Sequence, residues 1–192
     1  MNDAAILLRS ARKNSGLTQG ALASLVGVDQ SRVSRAEGGK ESPRFETVDK
    51  MLAATGHRLY VMPTRRDDAA TIAGEIRASI AEKNSRRALR QLIQLNDNLL
   101  AETGLVRGVL GLAEPESTGS KLWDASIAGL VAWRLNEQSL PLPEWVSAPE
   151  RKLARSRPLS SDPADPIPSG SDIPDEFAER GVLVWRDTFA SV

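Results

Sequence analysis

Cysteine is absent from the 192 residues, and histidine occurs once. Without cysteine the chain has no disulfide framework, no thiol nucleophile and no thiolate metal site. A hydrolase triad needs an imidazole base beside its nucleophile, and the single candidate, His57, lies in a predicted strand. The sequence also lacks a phosphate-binding glycine loop, a dinucleotide fingerprint and a metal-ligand cluster. We therefore predict a protein that is not an enzyme and that binds no cofactor or metal.

Long apolar runs are absent as well. No segment approaches the 18 consecutive apolar residues of a membrane-spanning helix, and the N-terminus lacks the pattern of a signal peptide. Hydrophobic residues still make up 41% of the chain, which permits a folded core, and the length leaves room for two small domains. We predict a soluble, cytoplasmic protein.

The charges balance overall but not locally. The chain has 25 basic and 25 acidic residues, which is not the composition of a generic nucleic-acid binder. Residues 1–66 contain 11 Lys and Arg against 6 Asp and Glu, a net charge of +5, and residues 67–192 carry −5. A basic N-terminal part beside an acidic remainder is typical of DNA binding at one end. The acidic part limits non-specific affinity and could attract a basic partner.

Two short helices joined by a tight turn are predicted by the stretch LTQGALASLVGVDQSRVSRAE. Ala23 lies where two helices cross too closely for a larger side chain, and Gly27 lies at a turn that favours a positive φ. Val28 and Val33 provide apolar side chains that hold the second helix against the first. This spacing is typical of a helix-turn-helix unit, whose second helix lies in the major groove of duplex DNA.

Helical spacing on both sides of this unit predicts a five-element N-terminal domain over residues 1–63. Its last element is a lone strand, which needs a partner. That strand pairs either with its two-fold copy in a homodimer or with Val182–Trp185 of the same chain. A homodimer would bind two DNA half-sites whose centres are about 34 Å apart. The predicted elements are a helix from Asp3 to about Ser15, helices capped by Thr18 and by Asp29, a helix opened by Ser42-Pro43 and closed by Gly56, and a strand from His57 to Met62.

Residues 3–55, just over a quarter of the chain, resemble the Xre and lambda-repressor family of helix-turn-helix proteins. The resemblance implies sequence-specific binding to double-stranded DNA and an internal ion pair between Arg12 and Glu37. Family members often carry Glu at the positions of Gly20 and Ala21, and this chain departs from them there. The resemblance is carried by Leu17-Thr18-Gln19, Ala23, Gly27-Val28, Val33-Ser34-Arg35 and Glu37-Gly38-Gly39-Lys40.

The same resemblance implies which side chains contact DNA. Gln19 would bind a phosphate, while residues at the start and on one face of the second helix would face base edges. Base contacts agree with groove chemistry, because Gln pairs with adenine and Arg with guanine in the major groove. The alternative is a solvated polar face without base contacts. The expected DNA contacts are Gln19, Gln30, Ser31, Arg32, Ser34, Arg35, Lys40 and Arg44, the last two with the backbone and Arg32 with either a phosphate or a base.

A second helical bundle domain is predicted over residues 67–146. Four segments have apolar residues at helical spacing and are joined by short loops, as in a compact bundle. Trp123 and Trp133 suggest either a ligand pocket or aromatic packing, and the sequence favours packing. The segments are a helix opened by Asp67-Asp68, helices over Arg86–Glu102 and Lys121–Asn136, and a shorter helix over Leu105–Leu112.

Proline dominates the next segment, with eight of the 11 prolines between Pro141 and Pro174. Residues 147–174 are therefore predicted to be an extended linker. Residues 175–192 follow as an apolar docking segment, and its apolar side chains need a surface that covers them. They fold back on the chain's own bundle or dock on another protein. In the second case the partner-binding residues are Val182, Leu183, Val184, Trp185 and Phe189.

Two functions agree with this layout, and both include DNA binding. The first is an autoregulating antitoxin whose C-terminal half binds a cognate toxin, and the second is a stand-alone repressor whose helical domain senses a ligand or dimerises. A sensor needs a closed apolar pocket, whereas a neutralising partner leaves the tail disordered until it binds. The layout resembles that of actinobacterial Xre-domain proteins encoded beside nucleotidyltransferase-type toxins, in the short motifs Trp123-Asp124-Ala125, Leu142-Pro143-Glu144-Trp145 and Phe177–Val182.

Overall fold

The computed structural model describes residues 3–59, 62–160 and 164–190. The chain divides into two compact units, Met1–Pro63 and Thr64–Val192. The described residues are mostly α-helical, which confirms the mostly α fold expected from the N-terminal helices and the helical bundle. None of the helices in these ranges combines the length and the hydropathy that a bilayer crossing requires.

The first unit packs its helices around one small apolar core. Leu8, Leu22, Val33 and Met51 are almost fully buried there, one from each helix. The helical periodicity of the sequence therefore places its apolar residues on inward faces. The helices are α1 (Asp3–Asn14), α2 (Gln19–Val26), α3 (Gln30–Glu37) and α4 (Phe45–Ala54).

Helix α4 begins later than the sequence predicts. Ser42-Pro43 was expected to open it, but Arg44 is the N-cap residue, with an extended backbone and no side-chain capping bond. The Arg44 carbonyl accepts the first helical hydrogen bonds, from the amides of Thr47 and Val48 at 2.9 and 3.1 Å. Pro43 therefore precedes the helix and does not occupy its first turn.

The predicted strand from His57 to Met62 differs from the structure. His57, Arg58, Leu59 and Met62 belong to no strand, and residues 60 and 61 lie outside the described residues. The His57 amide donates to Leu52 O at 2.9 Å, and Gly56 has a φ of 77°. These two features close α4 with a left-handed cap at Gly56, the residue predicted to end this helix. The described residues of the first unit contain no strand with which His57–Leu59 could pair, and a lone strand is unstable.

The second unit is built around α8, which is apolar and buried on nearly all sides. A helix that is hydrophobic all round is expected in a core. At Gly129 a Cβ atom would lie 3.1 Å from the Phe177 ring, so this glycine permits the close approach of the short helix that carries Phe177. The elements are α5 (Ala69–Ala81), α6 (Ser85–Ala101), α7 (Gly104–Leu110), α8 (Lys121–Asn136), α9 (Glu144–Ser147), β1 (Arg157–Pro158), α10 (Asp175–Ala178) and β2 (Val182–Leu183).

The C-terminal residues pack on this bundle. Strands β1 and β2 pair in parallel, with Arg157 opposite Val182 and Pro158 opposite Leu183. The rings of Phe177 and Phe189 stack with centroids 5.3 Å apart. The structure thus differs from the predicted extended linker, because Leu159 and Ile173 contribute to the core of the second unit. The docking segment folds back on the chain's own bundle, which was one of its two alternatives. The core residues beyond α9 are Leu159, Ile173, Phe177, Val182, Val184 and Phe189.

A buried polar network joins the C-terminal segment to α6 and α8. Arg134 Nε donates to Asn96 Oδ1 at 2.7 Å, and Asn96 Nδ2 donates to the carbonyl of Phe189 at 3.2 Å. Burial lowers the pKa of the Arg134 guanidinium, and the nearby Glu137 carboxylate, at 2.6 Å, opposes that change. The network therefore satisfies polar groups that would otherwise be buried without partners.

Candidate nucleic-acid interface

The turn between α2 and α3 has the backbone conformation that the sequence predicts. Gly27 has φ 70° and ψ 40°, and its amide donates to Ala23 O. The Val28 amide also donates to Ala23 O, at 3.0 Å. No atom lies within 4 Å of a Cβ built on Gly27, so the positive φ, and not crowding, is what favours glycine here. The turn fixes the direction in which α3 leaves α2.

Side-chain caps fix the starts of both helices, as the sequence predicts. Thr18 Oγ1 accepts a hydrogen bond from the Ala21 amide at 3.1 Å. Asp29 Oδ1 accepts one from the Ser31 amide at 2.7 Å. Hydrogen bonds from Ser31 lower the pKa of Asp29, and the charge of Arg35 adds to this effect. A cap of this kind satisfies an amide at the helix N-terminus that has no partner within the helix.

One face of α3 is polar and exposed, while the opposite face is buried. Val33 and Ala36 belong to the core, and Glu37 is buried with them. Lys40 and Arg44 are exposed in the loop between α3 and α4. The loop and the exposed face together present donors and acceptors that could meet base edges and phosphates. The exposed side chains of α3 are Gln30, Ser31, Arg32, Ser34 and Arg35.

Gln19 lies beside an ion pair between half-buried Arg12 and buried Glu37. Arg12 donates to both carboxylate oxygens of Glu37, at 2.6 and 2.9 Å, which confirms the pair that the resemblance implied. Gln19 Nε2 donates to Glu37 Oε2 at 2.9 Å. An amide nitrogen carries two hydrogens, so this bond is compatible with a second bond from Gln19 to a phosphate. The ion pair joins α1 to the end of α3, and the Gln19 bond joins the first turn of α2 to the same carboxylate.

Glu41 is the residue of this surface that the sequence analysis did not identify. Its carboxylate is 3.2 Å from Arg35 Nε and 3.6 Å from Arg32 Nε. Arg35 Nη1 also donates to Ser31 Oγ at 3.0 Å. The i,i+4 spacing of ion pairs within a helix does not predict these contacts. Glu41 follows α3 in a loop, and residue spacing does not predict the course of a loop.

The five apolar residues expected to bind a partner lie in the second unit. Val182, Val184 and Phe189 are fully covered by the chain itself, and Leu183 and Trp185 are half-buried. Trp185 Nε1 donates to Pro166 O at 3.0 Å. These side chains therefore follow the first of the two alternatives, folding back on the chain's own bundle, because β1, α6, α8 and α10 cover most of their apolar surface.

Other motif residues of the second unit have structural contacts. Asp124 accepts hydrogen bonds from the Thr118 amide and from Ser117 Oγ, both at 2.7 Å. Trp145 Nε1 donates to Gly111 O at 3.1 Å. Trp133 packs edge-on against the rings of Phe177 and Phe189, which confirms the packing interpretation for this residue.

The described part of the second unit contains a groove of about 170 Å³ beside Trp185. Ligand pockets for small molecules commonly enclose about 300–1,000 Å³. The groove is therefore small for a sensor site. Its lining includes Leu89, Leu159, Leu183, Trp185 and Thr188.

The family comparison concerns the first unit. Residues 3–57 match the family described as Helix-turn-helix domain. Over 62 residues the chain is 37% identical to a protein from Haemophilus influenzae named "Uncharacterized HTH-type transcriptional regulator". That match covers 32% of this chain and 63% of the relative, so the chain spans less than two thirds of the relative's length. No solved structure matches. The N-terminal unit of this chain is thus a helix-turn-helix domain.

Proposed function

We propose that the chain is a sequence-specific DNA-binding transcriptional regulator whose α3 lies in the major groove. The observation that carries the proposal is the exposed polar face of α3, on a helix held by the Asp29 cap and the Gly27 turn. The match to the helix-turn-helix domain family and the printed name of the relative support the same function. The proposed role is binding and not catalysis.

The side chains have different roles in this proposal. Gln30, Ser31 and Arg35 contact base edges, since they lie on the exposed face of α3 and carry suitable donors and acceptors. Gln19, Lys40 and Arg44 contact phosphates and set the position of α3 on the duplex. Arg32 contacts either a phosphate or a base, and Ser34 completes the exposed polar face of α3.

Selection of binding sites from a random duplex library with the full-length chain tests the proposal. Enrichment of one short sequence, bound at least about 1,000-fold more tightly than random duplex, is the expected result. Equal affinity for all duplexes, or no binding at low salt, would contradict it. The enriched sequence is called the operator below.

We propose that two copies bind one operator. A single eight-residue α3 offers few side chains for base contacts, and two copies related by a two-fold axis would double the sequence that is recognised. A two-fold symmetric operator with half-sites about 34 Å apart is then expected. Light scattering at tens of micromolar, with and without the operator, tests this. A strict monomer in both samples contradicts it.

We further propose that the regulator is an autoregulating antitoxin with a protein partner. Most apolar side chains of residues 175–190 are covered by the second unit itself, so we place the partner on another surface of that unit. Apolar side chains are exposed on α7 and the turn that follows it: Leu105 at 75%, Val109 at 36% and Leu112 at 49%. An exposed apolar patch of this kind is typical of interaction surfaces.

Affinity capture of the tagged full-length chain from nuclease-treated lysate of its native host tests the antitoxin proposal. A stoichiometric protein partner that the L105S/L112S variant loses is the expected result. The I167S variant, which changes a 60% exposed apolar side chain elsewhere on the same unit, should keep the partner. Recovery of the chain alone would favour the second function, a stand-alone repressor.

A further inference from the structure

We propose that Glu41 is a specificity-determining residue that holds Arg35 in position for a base and weakens binding to DNA without the operator. The inference deepens the proposed function and rests on it. Its basis is the position of one carboxylate beside two arginines of the DNA-facing helix.

The contacts hold the Arg35 guanidinium from two sides. Glu41 Oε2 accepts from Nε at 3.2 Å, and Ser31 Oγ accepts from Nη1 at 3.0 Å. A guanidinium has five N–H donors. Three donors remain for DNA, one on Nη1 and two on Nη2, and bidentate contact with guanine O6 and N7 needs two. A base contact by Arg35 therefore leaves its bond to Glu41 intact.

Contacts with random DNA are different, because they depend mainly on the attraction between basic side chains and phosphates. Glu41 Oε1 lies 3.6 Å from Arg32 Nε, so the same carboxylate offsets the charge of a second arginine. A phosphate that approaches either arginine also meets the negative charge of Glu41. The carboxylate therefore weakens phosphate contacts, while the oriented base contact of Arg35 is retained.

The three side chains are accessible to DNA. Arg35 is 51% exposed, Arg32 46% and Glu41 31%. Solvent-exposed ion pairs contribute little to folding, so the loss of this carboxylate should change DNA binding much more than stability. This difference separates a positioning role from a structural one.

The experiment compares E41Q with the wild-type chain on the operator and on a random duplex of equal length. E41Q should bind random duplex about 3- to 10-fold more tightly, because one negative charge beside two arginines is removed. Its affinity for the operator should rise by less than this or fall, so that the ratio of the two affinities drops by about 3-fold or more. The melting temperature should stay unchanged.

D49N is the matched control, since it removes one negative charge from an exposed side chain of α4 in the same unit. It should change both affinities by a similar, smaller factor. In the R32A/R35A background E41Q should act no more strongly than D49N, because its partners are gone.

Equal effects of E41Q on operator and random duplex would overturn the inference and leave the proposed function standing. The same conclusion follows if E41Q and D49N have equal effects in the wild-type background. If the wild-type chain itself fails to discriminate the operator from random DNA, the proposed function fails, and this inference fails with it.

Discussion

Individual side chains of α3 have different environments although they share one exposed face. Arg35 is held by Ser31 and Glu41, whereas Lys40 and Arg44 lie in the loop beyond the helix. A residue that contacts a base contributes to discrimination, and a residue that contacts a phosphate contributes to affinity for every sequence. The two roles are separable by measurement.

Arg35→Ala should weaken operator binding by about 1–3 kcal/mol and random-duplex binding by much less, because it removes a base contact. Fluorescence anisotropy with both duplexes measures the two losses. Equal losses on operator and random DNA would assign Arg35 to a phosphate and remove it from the base-contacting set.

Lys40→Ala should weaken binding to operator and random duplex alike, because a phosphate contact is independent of sequence. The slope of log K against log salt concentration should become shallower by about one unit, as one fewer counterion is released. A salt titration from about 50 to 200 mM measures it. An unchanged slope would show that Lys40 does not contact the backbone.

The Asp29 cap should make the first unit sensitive to acid. Hydrogen bonds from Ser31 lower the folded-state pKa of Asp29, so its contribution to stability is present above the unfolded-state pKa, near 3.8, and is lost as pH falls through the folded-state pKa. The Ser31 amide shift in NMR spectra should titrate with a midpoint below 3.8. In D29N, which keeps a capping oxygen, this titration should be absent. A wild-type midpoint at or above 3.8 would contradict the account.

At the scale of the element, helix bounds follow closely from the sequence where local signals mark both ends. The predicted bounds of Lys121–Asn136 are those of α8, and Thr18 and Asp29 cap the helices they were expected to cap. The start of α4 was predicted two residues early. Ser42-Pro43 is a common helix start, and the sequence does not show that the backbone stays extended as far as Arg44. The strand at His57–Met62 was predicted from alternation alone, which does not show whether a partner strand is available, and the described residues of the first unit contain none.

Gly27→Ala should destabilise the first unit by about 1–2 kcal/mol, because alanine in the left-handed region meets its own backbone. Gly20→Ala is the matched control: the same methyl group is added to the second residue of α2, which has no positive φ and whose nearest neighbour would be 3.8 Å away. That change should stabilise by about 0.5–1 kcal/mol. Hydrogen exchange of the α2 amides measures both. The same sign for the two variants would contradict the account.

At the scale of the molecule, the sequence predicts two regions but not how the second is completed. The residues after α9 have no apolar period, so their burial is not predictable from spacing. Long-range bonds to backbone carbonyls hold them, such as Arg180 Nη2 to Val146 O at 3.1 Å and Arg151 Nη2 to Pro115 O at 2.7 Å. Such contacts depend on the assembled tertiary structure. The contacts of Glu41 were not predicted for the same reason, because the conformation of the loop after α3 determines which side chains its carboxylate can reach.

Phe177→Ala should destabilise the second unit by about 3–5 kcal/mol, because it leaves a cavity against α8 in a core that the ring now fills. All four tryptophans lie in residues 64–192, so tryptophan fluorescence during denaturant unfolding reports on this unit. A loss below about 1 kcal/mol would show that the C-terminal residues do not belong to the core. Phe45→Ala, which removes a 70% exposed ring from the first unit, is the control and should leave that transition unchanged.

The most direct test of the central claim is guanine methylation interference on the operator with the full-length chain. Methylation of guanine N7 blocks the major-groove edge that Arg35 is proposed to contact. We expect methylation at one or more guanines to interfere with binding of the wild-type chain. For the Arg35→Ala variant, methylation of at least one of these guanines should no longer interfere. Interference confined to adenine N3, in the minor groove, or none at any guanine, would contradict the proposal that α3 contacts bases in the major groove.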